Sequence, residues 1–385
     1  MRTSTGWAVT LGMLGSACSY KALPPLDDSG TGGIDAAGGP DGPVDSVDSG
    51  ASADAAVCFG TGIVQLCLQT PPSAPQTIGS FRRVDTDDAT MCEPLASSNG
   101  NYCVVAATTI TVDNQLRGVG RRPLVLVASD RIVIHVGGMI DVGSRRGTAF
   151  EQGAGSDFAG CGGGAAPTTD STTGGGGAGG SFVGGGGAGG GGGTNTLGGT
   201  SAPAAGAVTA LRGGCAGQAG AGSATASLGH GGGAVFLIAG NAIDSEGSIF
   251  ATGEGGGGGP MGSATNGGSG GGSGGMIGFE APLITAAGLV LANGGGGGEG
   301  SAPPVTGANG ADPSDIAAAI GGRGNVMPGG DGGNGSPSTG GAGSVGQSAT
   351  NPSSASGGGG GGGAGIIKAP SGANLGTNVS PPPTP

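Results

Sequence analysis

Three short apolar segments of this chain repeat one spacing of hydrophobic residues and glycine. Each has an isoleucine, a glycine four positions later, two alternate apolar residues, and then another glycine. The repeats are Ile134-Gly138-Ile140-Val142-Gly143, Ile243-Gly247-Ile249-Ala251-Gly253 and Ile284-Gly288-Val290-Ala292-Gly294. Alternate residues of a strand point to the same side, and glycine permits a tight corner. Each repeat therefore predicts two short strands joined at a glycine corner.

An apolar strand is predicted before each repeat, over 124–128, 234–239 and 276–281, and a weaker apolar segment covers 366–369. A unit of short strands cannot bury its own apolar face, whereas stacked units share a continuous core. We therefore predict an all-β fold: a short right-handed parallel β-helix, or solenoid, whose body spans 121–375. The glycine-rich stretches 144–233, 254–275 and 295–364 are predicted to be long insertions that leave the stack at the same corner each time.

Two other folds are compatible with the same pattern. One is a β-sandwich with glycine-rich loops, because the repeats are unevenly spaced along the chain. The other is a chain that is largely disordered after residue 143, because glycine brings no side chain to bury. The glycine runs could also order themselves by packing side by side as hydrogen-bonded helices of polyproline II shape, with three residues per turn.

The composition limits the classes of protein that are possible. Glycine supplies 101 of the 385 residues and aromatic residues only 3%, which leaves enough apolar bulk for one narrow core. The formal net charge is −12, and basic residues gather only in the pairs Arg82–Arg83, Arg121–Arg122 and Arg145–Arg146. Nucleic acid is not expected as a partner, because binding phosphate requires a concentrated basic surface.

The amino terminus has the pattern of an export signal. A charged start, an apolar stretch over 7–14 and small residues precede Cys18, and the apolar stretch is too short to span a bilayer as a helix. The segment resembles a bacterial lipoprotein signal, which implies a signal peptide over 1–17 and lipidation of Cys18. An ordinary secretory signal is the alternative. Residues 18–57 are rich in Asp, Gly, Ala and Ser and are predicted to be an acidic tether.

The other six cysteines form an even set in a chain with an export signal. They are Cys58, Cys67, Cys92, Cys103, Cys161 and Cys215. Disulfides persist outside the cytoplasm, and six cysteines allow 15 pairings, so the sequence cannot fix the connectivity. Pairing each cysteine with its neighbour along the chain is the simplest choice. Because four of the six lie within 58–120, we predict a disulfide-stapled β region there, and a proline-rich tail over 376–385.

Few residues suggest chemistry. The chain has no CxxC motif and only two histidines, His135 and His230, so we expect no metal site and no cofactor. Acidic residues on one face of a parallel β-helix can cleave polysaccharides. The candidates for such a site are Asp244, Glu246, Glu254, Glu280 and Glu299. Asp244 and Glu246 are two positions apart and share one side of a strand, but we expect solvated charges there rather than an enzyme.

The combination of a lipoprotein-type signal, an acidic tether, a few cysteines and apolar islands between glycine runs resembles the glycine-rich envelope lipoproteins of myxobacterial type. This resemblance implies a place in the cell envelope, at the outer membrane or cell surface, and implies no known chemistry. The periplasm and secretion are the alternative locations. We expect a structural or adhesive surface protein that acts through many weak contacts. Its partners would be the membrane, through the lipid, and envelope or matrix polysaccharide or other surface proteins. A polysaccharide lyase or hydrolase and a carbohydrate-binding module are the alternatives.

Overall fold

The computed structural model describes residues 56–98, 100–147, 152–324, 328–351 and 353–385. The predicted signal peptide, Cys18 and all but the end of the predicted tether lie outside these residues. No helix in the described ranges is long and apolar enough to cross a membrane.

The described residues form an all-β protein, as predicted, with one short 3-10 helix over Ala89–Met91. The strands are β1 (Val57–Phe59), β2 (Leu66–Leu68), β3 (Gln76–Ile78), β4 (Arg82–Asp85), β5 (Leu95–Ser98), β6 (Cys103–Val112), β7 (Gln115–Val119), β8 (Leu124–Ile134), β9 (Met139–Asp141), β10 (Ala234–Ala239), β11 (Ala242–Ser245), β12 (Ser248–Phe250), β13 (Met276–Glu280), β14 (Leu283–Ala286), β15 (Val290–Leu291), β16 (Ile366–Lys368) and β17 (Val379–Ser380).

Two parallel sheets carry most of these strands. In the first, β3, β6 and β8 pair in turn; the first half of β8 continues to β10, β13 and β16, and its second half to β11 and β14. The second sheet has the order β4, β7, β9, β12, β15 and β17. Successive passes of the chain therefore lie beside one another as six levels, each contributing strands to both sheets. The sheets have no break at residue 120, because β3, β4, β6 and β7 supply the first two levels.

Equivalent residues of successive levels stack to form the core. In the first sheet the register aligns Ile110, Ile132, Ile243 and Ile284. In the second sheet it aligns Leu116, Ile140, Ile249, Val290 and Val379. All of these except Val379 are buried, and Val379 packs against the same cluster from a partly buried position. A side chain of one level thus covers the apolar side chain of the next, as the repeat predicts.

The corner between the two sheets explains the central glycine of the repeat. A Cβ on Gly247 would meet the carbonyl oxygen of Gly138, and a Cβ on Gly288 would meet that of Gly247. The corners therefore stack backbone on backbone. The predicted alignment of the repeats is wrong at one position, because Ile243 pairs with Ile132 and not with Ile134. The first corner is longer by a turn that includes Gly137, whose φ is +86°.

The outer face of the first sheet is also buried. Val125, Phe236 and Met276 form a second apolar cluster there, and it is covered from two directions. An antiparallel sheet of β1, β2 and β5 contributes Leu66, and the first insertion contributes Phe182. Covering both faces accounts for the uninterrupted apolar sequence of β10.

The three insertions begin and end at one corner of the levels. A residue two or three positions before each insertion accepts a backbone hydrogen bond from a glycine at the end of that insertion or directly after it. These closing bonds are Gly233 N–H to Val142, Gly275 N–H to Ala251 and Gly365 N–H to Ala292, at 2.7 to 2.8 Å. Insertions of very different length therefore close in the same way, which accounts for the uneven spacing of the repeats.

Within the insertions, extended glycine segments pack against one another through their backbones. In 357–363 the N–H groups of residues 357, 360 and 363 bond to carbonyls of 174, 177 and 180; those of 358 and 361 bond to 347 and 344; and those of 359 and 362 bond to 298 and 295. Successive N–H groups therefore donate to three neighbouring segments in turn. A period of three residues is that of a polyproline II helix.

The segment 357–363 is the axis of this arrangement, which we call the glycine bundle. Its carbonyls accept from three further segments, at 187–190, 268–274 and 333–336. It therefore has six neighbours. A Cβ on any of its seven glycines would collide with a neighbouring carbonyl, so glycine is required for segments to approach this closely. Among the described residues, the insertions are thus ordered, and the alternative of a chain largely disordered after residue 143 is wrong.

The disulfides join Cys58 to Cys67, Cys92 to Cys103 and Cys161 to Cys215, the pairing of neighbours along the chain. The proline-rich tail belongs to the last level: β17 lies in it, and Thr384 bonds to Ile367 and Ala369 beside the edge of β16. Covering an edge strand blocks further pairing with other chains. The parallel ladders also argue against the β-sandwich alternative, whose sheets would be antiparallel.

Candidate functional site

Charged side chains gather where the insertions leave the levels. The Nδ1 atom of His230 lies 2.6 Å from Asp157 Oδ2, and the backbone N–H of His230 donates to Glu254 Oε2 at 3.2 Å. Arg146 approaches Glu254 to 3.4 Å, and its backbone N–H donates to Asp312 at 3.0 Å. These contacts connect the start of the first insertion to both later insertions.

Burial sets the electrostatics of this cluster. Glu254 is 1% exposed, and its Oε1 atom, although near Arg146, has no hydrogen-bond partner among the described residues. Loss of water raises the pKa of Glu254 above its ordinary value. The hydrogen bond to Asp157 raises the pKa of His230. Because its members are engaged with one another or with the backbone, we interpret the cluster as a clamp between the levels and the glycine bundle.

A second group of charges lies in a cleft of about 430 Å³ beside β7, β9 and β12. Asp141 is buried and pairs with Arg117 at 2.9 Å and with Arg145 at 3.0 Å. It also accepts the backbone N–H of Gly143 at 3.0 Å. The Arg145 guanidinium lies 5.4 Å from the centre of the Phe250 ring. Asp141 is therefore fully engaged inside the protein.

A larger pocket, about 740 Å³, lies between the N-terminal levels and the first insertion. Its walls include Arg121, Arg122 and Arg212, together with Phe158 and Asn101. Cζ of Arg212 lies 4.8 Å from the ring centre of Phe158 and 4.4 Å from that of Phe182. Burial lowers the pKa of Arg212, although a guanidinium remains charged at neutral pH. We call this site the Arg212 pocket.

The five carboxylates that the sequence offered as catalytic candidates make different contacts in the structure. Asp244 accepts a hydrogen bond from Thr285 at 2.7 Å, and Glu246 lies beyond the end of β11. Glu280 accepts from the backbone and side chain of Thr61 at 2.7 and 2.8 Å. The other two candidates, Glu254 and Glu299, are buried. Within the described ranges, no hydrogen bond joins any two of these carboxylates.

Glu299 is buried inside the glycine bundle. Its Oε2 atom accepts the backbone N–H of Ala308 at 2.9 Å, whereas Oε1 has no hydrogen-bond partner in the described part of the chain. Burial raises the pKa of the carboxyl. His135 is exposed and lies 2.5 Å from Asp113. In the described part of the chain, no group of three or more His, Cys, Asp or Glu side chains could hold a metal ion.

Sequence reasoning did not identify the Arg212 pocket. In the sequence Arg121 and Arg122 are only a short basic pair, and Arg212 lies in a glycine-rich stretch without a motif. The one available signal was the pairing of Cys161 with Cys215. Phe158 and Arg212 each lie three residues before one of these cysteines, so the disulfide brings them together.

No protein-family model matches the chain, and searches of curated proteins and of solved structures found no match.

Proposed function

We propose that this protein is a lipid-anchored structural or adhesive component of the bacterial cell envelope, whose body is a short right-handed parallel β-helix carrying a glycine bundle. The observation that carries the proposal is the bundle itself. Its axis segment is joined by backbone hydrogen bonds to six neighbouring segments, and it needs almost no side-chain core. A structure held together in this way is suited to a structural role in the cell envelope.

The charged groups favour a structural role over catalysis. The buried charges contact the backbone or one another in the clamp around Glu254 and in the cleft around Asp141. A general acid–base pair has to face a substrate, with two carboxylates about 5–10 Å apart across one bond. The separate contacts of the five candidate carboxylates give no support to that arrangement.

Three disulfides support an oxidising location outside the cytoplasm. The sequence of the first 18 residues, with its apolar stretch before Cys18, supports export and lipidation. The acidic residues of 18–57 would hold the folded body away from the membrane.

Metabolic labelling with palmitate tests the anchor. The unchanged protein should incorporate label, and Cys18→Ala should abolish it, because the lipid is attached at that sulfur. Ser19→Ala is the matched control and should retain the label. Equal labelling of Cys18→Ala would disprove lipidation at this residue.

Protease treatment of intact cells, followed by an antibody against the carboxy-terminal half, tests the location. Cleavage within the predicted tether would release the body and remove the signal from the cells. Such a loss supports surface exposure. Protection until the outer membrane is breached would place the protein in the periplasm and would contradict a role in adhesion.

A further inference from the structure

Arg212 is a half-buried cation without a hydrogen-bond acceptor among the described residues. Its guanidinium contacts the Phe158 and Phe182 rings instead. Such contacts offset part of the cost of removing a cation from water, but they leave the N–H groups in the guanidinium plane without acceptors. An arginine placed in this way is suited to bind a planar anion with two parallel hydrogen bonds.

The other charges around the pocket already have partners. Arg121 pairs with Asp87 at 3.2 Å, and Arg122 donates to the backbone oxygen of Thr86. Asp157 is held by His230 at 2.6 Å and by the backbone N–H of Gly231 at 2.8 Å. The acceptor of Arg122 is an uncharged carbonyl, so the charges of Arg122 and Arg212 both remain for a ligand to balance, which indicates an anionic ligand.

The pocket is held in place before any ligand binds. The Cys161–Cys215 disulfide fixes the two chain segments that carry Phe158 and Arg212. Phe182 is fully buried in the apolar cluster outside β10. Fixing these two chain segments and the Phe182 ring limits the conformational entropy that binding would cost, which favours affinity even for a small ligand.

The remaining walls combine polar and apolar surface. Asn101 is exposed and its side-chain amide has no partner among the described residues, so it can exchange hydrogen bonds with a hydroxyl group. Phe158 is 43% exposed, and Pro123 and Ala210 add apolar wall. A sugar ring presents the same combination of hydroxyl groups and apolar C–H surface. The volume of about 740 Å³ is within the usual range for small-ligand sites.

We propose that the Arg212 pocket binds a uronic-acid residue of an acidic polysaccharide, with the sugar carboxylate on the Arg212 guanidinium and a ring hydroxyl on Asn101. The site itself rests on the geometry of the pocket. Only the source of the sugar, an envelope or matrix polysaccharide, rests on the proposed function.

Calorimetric titration of the purified full chain tests this site. The probe is a galacturonic acid disaccharide, and the matched neutral probe is a galactose disaccharide. The acidic probe should bind, and Arg212→Gln should weaken it at least tenfold, about the effect of losing one charged bidentate contact. Arg131→Gln, which changes an exposed arginine on β8 paired with Asp130, should bind as the unchanged protein does.

Arg212→Lys is a second variant that tests the site if Arg212→Gln does not fold. It keeps the charge but cannot form two parallel hydrogen bonds, so it should also bind the acidic probe more weakly. Thermal unfolding and a thiol count show whether each variant folds and keeps its disulfides. If Arg212→Gln does not fold, unchanged affinity in Arg212→Lys would overturn the proposal.

Three other results would also overturn it: no binding of the acidic probe, equal binding of the neutral probe, or equal binding by folded Arg212→Gln. Acetate serves as a further probe, and acetate binding as tightly as the disaccharide would show that no sugar is recognised. These measurements use purified protein and do not depend on lipidation or location. A failure here therefore leaves the envelope proposal standing, and a failure of palmitate labelling leaves the pocket standing.

Discussion

Replacing one glycine on the axis of the glycine bundle tests how the bundle is held together. Gly360 donates its N–H to Gly177 at 2.9 Å and accepts from Gly271 at 3.0 Å. A Cβ at this position would lie against the carbonyl of Gly187 and 2.7 Å from the Ala188 oxygen. Both obstacles are backbone atoms of a segment that is itself hydrogen-bonded on several sides, so neither can move aside alone.

The expected cost of Gly360→Ala follows from these contacts. Forcing a methyl group into a packed interior costs about 1–3 kcal/mol. Weakening the two hydrogen bonds of Gly360 adds about 0.5–1.5 kcal/mol for each. We therefore expect the free energy of unfolding to fall by about 2–6 kcal/mol, which is a large part of the stability of an ordinary domain.

Gly185→Ala is the matched control. Gly185 lies in the first insertion with no atom within 4 Å of an added Cβ and without a positive φ. Alanine there should stabilise the protein by about 0.4–1 kcal/mol, because it restricts the unfolded chain. Denaturant unfolding measures both variants, and hydrogen exchange of the amides of 357–363 reports on the bundle directly. If the two variants have the same stability, the claim that backbone contact requires glycine on the axis is refuted.

Three further predictions concern the core, the disulfide and the clamp. Ile132→Ala should lower the free energy of unfolding by about 2–5 kcal/mol, because it opens a cavity between stacked levels, and a small effect in denaturant unfolding would contradict the stacking. Replacing Cys161 and Cys215 together by serine should cost about 4 kcal/mol in the chain-entropy view, since the disulfide closes a separation of 54 residues; unchanged thermal unfolding would contradict it. The pKa values of His230 and Glu254 are both raised in the folded protein. The stability that these groups contribute is therefore fully present at pH values below their unfolded-state pKa values, and it is lost as the pH rises through their folded-state pKa values. Stability should therefore decline as pH rises from about 4.5 through the region above 6.5; this decline should be smaller in Glu254→Gln, and equal pH profiles would refute the assignment.

The repeat of the sequence predicted the levels wherever side chains stack. Ile140, Ile249 and Val290 pair as their spacing indicates, because an apolar residue at each position is needed to cover the level beside it. The same argument failed at Ile134, since the sequence does not show that the first corner is longer than the others. A corner loop that makes few contacts can vary in length without changing the hydrophobic pattern.

The partners within the glycine bundle could not be predicted for a different physical reason. A glycine segment has no side-chain pattern to specify its neighbour, so the sequence does not reveal that 357–363 lies between six others. The Arg212 pocket was hidden for a related reason. It is assembled from segments far apart in the chain, and even the disulfide that joins two of them leaves Arg121, Arg122 and Asn101 unpredicted.

The closing bonds of the insertions explain how the levels and the bundle depend on each other. A long glycine segment loses much conformational entropy on ordering, and the cost of joining its ends grows only slowly with its length. The ends of each insertion are joined once, by the closing bond at Val142, Ala251 or Ala292, where the sheets already fix the chain. Segments that start from three adjacent levels also start side by side. The parallel stack therefore sets the first contacts of the bundle.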